Sequence, residues 1–143
     1  MSPASADSPQ YQVGSSPLEL IGIPWKKHGM IPEDGLGCWG AVRLAANYYG
    51  YEIPHFEKSV EQAKNELQYA VERFRDKFDE VDMAEPGDIV LLSIRGMSDV
   101  DHIGIMVSTT HFLHSYEKAG VCLSRLTSPV YQRRIRGILR WRK

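Results

Sequence analysis

The hydrophobic pattern changes period once, at Glu85-Pro86-Gly87-Asp88, and that change restricts the fold more than any other feature. Before it, apolar residues recur at helical spacing. The stretch from Cys38 to about Tyr49 is apolar almost all round, which predicts a core helix; Gly50 is placed to cap it, and Pro54 prevents its continuation. Ser59 and Gln62 form a capping box for a second helix. Its stripe of Val60, Ala63, Leu67, Ala70, Val71, Phe74 and Phe78 keeps helical spacing to about Val81. After the turn the period is that of strands, expected at 89–94, 102–107, 111–116, 121–126 and across 130–142 with a kink near Gly137. Helices first and antiparallel strands after predict an α+β domain, with the helices on one face of an antiparallel sheet of about five to six strands. Nothing marks an internal boundary, so residues 18–143 read as one domain behind a flexible lead-in of Ser, Pro, Ala and Gln over residues 1–17. That lead-in has neither the basic start nor the apolar centre of a signal peptide. No apolar run approaches the roughly 20 residues that span a bilayer.

The first chemical signal is Asp34-Gly35-Leu36-Gly37-Cys38-Trp39-Gly40, which sets a cysteine at the first turn of the first helix behind a glycine-rich bend. Unpaired N–H groups and the positive end of the helix dipole favour thiolate there, so Cys38 is a candidate nucleophile. Taken alone it reads first as a small buried hydrophobe, followed as it is by Trp39, Ala41, Val42 and Leu44. A base decides between the two readings. His102 and His114 lie twelve positions apart around Val107-Ser108-Thr109, a spacing that sets them directly opposite on one face of a hairpin, within reach of a hydrogen bond. Gly104 beside them removes a side chain where another element, such as the helix start, can approach. The remaining histidines, His28, His55 and His111, read as loop and surface residues, with His28 nearest the cysteine.

The net charge of −1 excludes no soluble function, but its distribution is uneven. From Lys118 onward there are eight basic residues and no acidic ones, which leaves about −9 for the rest. Their alternation with Leu123, Ile135, Ile138 and Trp141 fits solvated strand faces or a surface for an acidic partner better than a phosphate-binding stripe, so no nucleic acid is expected. Two cysteines do not make a disulfide framework in a domain this size, although a bridge from Cys38 to Cys122 stays open.

Five blocks then occur in order: Gly22-Ile23-Pro24-Trp25; Gly35 to Arg43 around the cysteine; Pro86-Gly87-Asp88-Ile89-Val90-Leu91; Asp101-His102-Ile103-Gly104-Ile105; and Phe112-Leu113-His114. Together they resemble the NlpC/P60 family of papain-like cysteine peptidases. The Cys38-Trp39-Gly40 version and the ending from Ser128 to Ile138 are most similar to members from tailed bacteriophages.

The resemblance implies a papain-like fold and a cysteine endopeptidase without cofactor or metal. Cys38 would be the nucleophile, His102 the general base and His114 the group that orients it, with the Cys38 backbone N–H meeting the oxyanion. The implied substrate is the stem peptide of bacterial cell wall, cut between D-glutamate and a diamino acid. The implied location is a virion tail or tail tip, with other tail proteins as partners. Two departures bear on specificity. Trp25 stands where the family usually has a tyrosine that helps the oxyanion. Gly37 replaces the aspartate that commonly precedes the cysteine, leaving Asp34 or Glu33 as stand-ins for binding a substrate amine, with His28 a further substrate contact. Rival readings are a structural tail protein whose peptidase fold is a docking plug, an acyl-transfer enzyme using the same thioester, and a zinc site built from Cys38, His102 and His114.

Overall fold

A computed structural model describes residues 16–54, 66–96 and 99–143. The lead-in up to residue 15, the expected start of the second helix at Ser59, and His55 lie outside the described residues. A 3-10 turn at Pro17–Leu20, capped by the Ser16 hydroxyl, opens the chain. A two-stranded clasp follows, β1 (Met30–Ile31) and β2 (Gly35–Leu36), and then helix α1 (Cys38–Tyr48). As expected, the helix stops at Gly50, which takes a positive φ of 91°. The Trp39 indole N–H donates to the Pro54 carbonyl at 2.7 Å and ties the returning chain to the helix start.

Helix α2 (Glu66–Phe74) ends earlier than the pattern predicts. Instead of running to Val81, the chain passes through a 3-10 turn, Arg75–Lys77, into an edge strand β3 (Phe78–Glu80). Asp79, Glu80 and Asp82 would oppose the dipole at a helix C-terminus. As a strand, the same segment pairs with β8 (Ile135–Trp141) and gives Asp79 to Arg142 at 2.8 Å. Phe78 stays in the core either way, edge-on to Phe74, Tyr51 and Trp141.

The strands β4 (Ile89–Leu92), β5 (His102–Met106), β6 (His111–Tyr116) and β7 (Gly120–Arg125) complete a six-stranded antiparallel sheet of order β3-β8-β4-β5-β6-β7. The expected last strand over 130–142 is shorter, because a turn at Ser128 and a 3-10 turn at Gln132–Arg134 precede β8. Its irregularity is a one-residue bulge: Leu91 pairs with Gly137 but Leu92 with Ile135, leaving Arg136 unpaired against β4.

Side chains alternate across the sheet and so serve two cores. Ile89, Leu91, Ile103, Ile105 and Leu113 face α1 and α2, packing with Trp39, Val42, Leu44 and Val71 in the larger core. Val90, Leu92, Met106 and Phe112 form a smaller core on the other face, covered by Leu126, Tyr131 and Ile135. Asp88, almost fully buried, is met by Arg140 through two hydrogen bonds of 3.0 and 2.8 Å. The fold is therefore α+β with two described helices on one face of a six-stranded antiparallel sheet. Among the described residues no helix is long and apolar enough to cross a membrane.

Candidate active site

A cleft of about 320 Å³ opens at one end of the sheet, where α1 and β5 begin and β6 ends. Cys38 lies at its floor, Trp25, Lys27 and His28 on one wall, and Arg95, His102, Tyr116 and Glu117 on the other. The helix start is held there by its loop. Gly40 lacks the Cβ that would strike the Gly29 carbonyl, so the loop backbone rests directly on the first turn of α1. The Gly37 N–H donates to that same Gly29 carbonyl at 3.0 Å, and the buried Ser115 hydroxyl of β6 donates to the Leu36 carbonyl. Asp101 organises the opposite wall: its carboxylate accepts from the N–H groups of Ile94, Arg95 and Gly96 at 2.7 to 3.1 Å, fixing the turn that carries Arg95.

His102, the first residue of β5, is buried, and its Nε2 shares a 2.7 Å hydrogen bond with His114 Nδ1. The two rings meet edge to face at 4.9 Å. They are not directly opposite, as the twelve-residue spacing predicts. β5 and β6 pair Ile105 with Leu113 and Met106 with Phe112, a register that sets His114 across from Gly104 and makes His102 its diagonal neighbour. The reason is the loop, which is Ser108 to Thr110 and closes with Val107 N–H donating to the His111 carbonyl at 3.0 Å. Gly104 also serves a different neighbour from the one expected. A Cβ there would lie 2.6 Å from Cδ2 of Phe112, so the vacated space belongs to that ring and not to the helix start. Phe112 in turn packs against His114 at 4.7 Å.

The electrostatics also differ from the expectation of a helix-stabilised thiolate. Burial pushes the Cys38 thiol up to about 11, outweighing the backbone N–H groups of Ile103 and Trp39 that oppose it. Burial likewise holds His102 down to about 3, helped by His114 and Arg95, and His114 down to about 4. The resting site is thus a neutral thiol beside two neutral imidazoles.

Of the other sequence candidates, Trp25 and His28 line the cleft, His28 with a positive φ of 60°. Asp34 and Glu33 do not line it; both are exposed at the turn between β1 and β2. Cys38 and Cys122 are both free, and Cys122 lies on β7 with its sulfur 3.7 Å from His114 Nε2. That nitrogen has a nearer partner that sequence reasoning missed, Ser124 Oγ at 2.8 Å. Only the register of β6 on β7, which pairs His114 with Cys122, brings Ser124 within reach. Arg95 also went unmarked, and Asp101 was read only as part of its block, although an aspartate beside the first strand histidine is a usable signal. Among the described residues no three of His, Cys, Asp and Glu gather as a metal ion would need.

The sequence profile of the NlpC/P60 family matches residues 22–140. The chain belongs to the NlpC/P60 family. Among solved structures, an NlpC/P60 family protein from Bacillus cereus superposes with a TM-score of 0.65 at 19% identity, over 87% of this chain and 37% of its own. An NLP/P60 protein described as similar to lipoprotein, from Staphylococcus aureus, gives 0.64 at 21%, over 89% and 39%. The NlpC/p60 domain of the peptidoglycan hydrolase SagA gives 0.56 at 16%, over 88% and 92%. This NlpC/P60 chain therefore spans under half the length of the first two. No match was found among curated proteins.

Proposed function

We propose that this NlpC/P60 domain is a cysteine endopeptidase that hydrolyses amide bonds of bacterial cell-wall stem peptides through Cys38, His102 and His114. The observation that carries the proposal is the position of His102, which lines the Cys38 cleft while its Nε2 is engaged by His114 at 2.7 Å. The nitrogen left free is Nδ1, and a base needs a free nitrogen at the cleft. In this reading Nδ1 takes the thiol proton as Sγ bonds to the scissile carbonyl carbon, and the Cys38 N–H at the helix start meets the oxyanion. The tetrahedral species collapses with loss of the amine, which receives the proton from His102. Water then attacks the thioester, giving its proton to His102, and the acid product leaves with the thiol restored. Trp25 and His28 border the substrate, and Lys27 and Arg95 suit the carboxylates of a stem peptide.

The bond between D-glutamate and a diamino acid is the proposed target, and the similarity of the Cys-Trp-Gly block and the chain ending to phage members supports a role in a virion tail or tail tip, among other tail proteins. Purified peptidoglycan digested with the parent and with Cys38→Ala tests the chemistry. Mass spectrometry should find new muropeptide ends with the parent and at least a thousandfold fewer with the variant. Equal release by both would end the proposal, and ends at another bond would move the specificity. The raised thiol favours a second reading, a tail plug whose activity is latent; tails reconstituted with Cys38→Ala that assemble and infect normally would support it.

A further inference from the structure

Among the described residues, Lys27, Arg95, Asp101 and Glu117 bring full charges to the cleft. They are not equally free to meet a ligand. The Asp101 carboxylate already accepts three backbone N–H groups of the turn that carries Arg95, and Lys27 belongs to the loop before α1. Arg95 and Glu117 approach each other from two connections at the same end of the sheet, β4 to β5 and β6 to β7, with Arg95 Nη2 and Glu117 Oε1 3.7 Å apart.

Neither connection needs that contact. The Arg95 N–H is fixed by Asp101 at 2.8 Å. The other turn is closed by the Ala119 N–H donating to the Tyr116 carbonyl at 3.0 Å and moored by the Val121 N–H on the Ile23 carbonyl at 2.9 Å. The pair is also long and wet, its side chains 64% and 59% exposed, whereas Arg140 meets the buried Asp88 at 2.8 Å. A solvated pair of this kind contributes little to the fold. Its two charges are therefore open to a ligand, and two anchored turns hold them side by side.

Opposite charges side by side select by repulsion as well as by attraction. A lone carboxylate reaching Arg95 is repelled by Glu117, and a lone ammonium reaching Glu117 is repelled by Arg95. A group with both ions on one carbon satisfies both, because its ammonium and carboxylate stand a few ångströms apart, as the pair does. The two ends of a stem peptide are too far apart to present such a group. A diamino acid with a second carboxylate presents it at the tip of its side chain; lysine presents the ammonium alone.

We infer that Arg95 and Glu117 form a subsite for a zwitterionic carbon, so that the preferred stem peptide is one whose diamino acid carries an ammonium and a carboxylate together at its side-chain tip. The inference rests on the peptidase reading for its consequence in rate, but binding alone can judge it. Three γ-D-glutamyl peptides differing only in the residue after glutamate test it: diaminopimelate, lysine (the same side chain without the carboxylate) and aminopimelate (the same without the amine). For the parent, kcat/KM on the diaminopimelate peptide should exceed that on either of the others roughly tenfold or more. Glu117→Gln should narrow the gap to the aminopimelate peptide severalfold, and Arg95→Gln the gap to the lysine peptide. Equal cleavage of all three by the parent, or variants that keep the parent's ratios, overturns the inference. If a variant fails to fold, judged by circular dichroism, the parent's ranking decides. Calorimetric titration of Cys38→Ala with the same peptides should rank their Kd values alike. Should Cys38→Ala digest peptidoglycan like the parent, the peptidase reading fails, while the calorimetric ranking still judges the subsite.

Discussion

At Cys38 two forces act on one proton. The helix start and the Ile103 N–H draw the thiol toward thiolate, while enclosure by the loop and the sheet pushes it the other way, and enclosure wins, with the thiol near 11. His102 is displaced in the opposite direction, to about 3, so no thiolate–imidazolium pair stands ready at neutral pH. In the proposed peptidase, proton transfer then accompanies attack. Alkylation by iodoacetamide reports this directly: Cys38 should react slowly at pH 6 and progressively faster from about pH 9 upward. A rapid plateau already present at pH 6 would show an ion pair instead. Cys122 has to be replaced by valine in this experiment, since it is partly exposed and its sulfur also reacts.

Among the elements, the β5–β6 pair sets the imidazoles and Gly104 sets the pair. Gly104→Ala drives a methyl group against Phe112 and the Leu113 carbonyl, and Phe112 has His114 beside it. A loss of roughly 1–3 kcal/mol in urea unfolding is expected, with kcat reduced beyond what the unfolded fraction explains. The same strands mark where sequence reading stops. Helix α1 and its glycine cap were legible, because an all-round apolar run and a following glycine have one economical interpretation. The end of α2 was not, since Phe74 and Phe78 fit helical spacing and fit equally the aromatic cluster around Tyr51 and Trp141. Nor was the hairpin register, because a loop centred on Thr109 in place of Ser108 moves every partner by two. The proximity of the candidate residues was legible, Cys38 and His102 on one cleft with His114 beside His102, since the diagonal pairing still lets the rings touch. Ser124 was hidden because its contact with His114 depends on a second register, that of β6 on β7.

For the molecule as a whole, the buried neutral histidines link stability to pH. Unfolded, both take protons near the ordinary value of about 6.5; folded, His102 and His114 resist until about 3 and 4. Their depressed values mean that the folded state is fully favoured above pH 6.5 and loses stability as pH falls through that window toward 3 to 4. The parent should therefore lose on the order of a few kcal/mol between pH 7 and pH 4, read from urea midpoints. A His102→Gln, His114→Gln double variant should lose distinctly less; parallel curves would remove the linkage. The sheet that carries this pair serves two cores of unequal size, and the imidazoles share the face of the smaller one, formed by Val90, Leu92, Met106 and Phe112, with His102 across from Leu92 and His114 against Phe112. If the proposed peptidase reading holds, sequence drift in those four interior positions has a route to reaction rate that never alters a substrate contact, and homologues with identical clefts would differ in turnover because of the reverse side of a β-sheet.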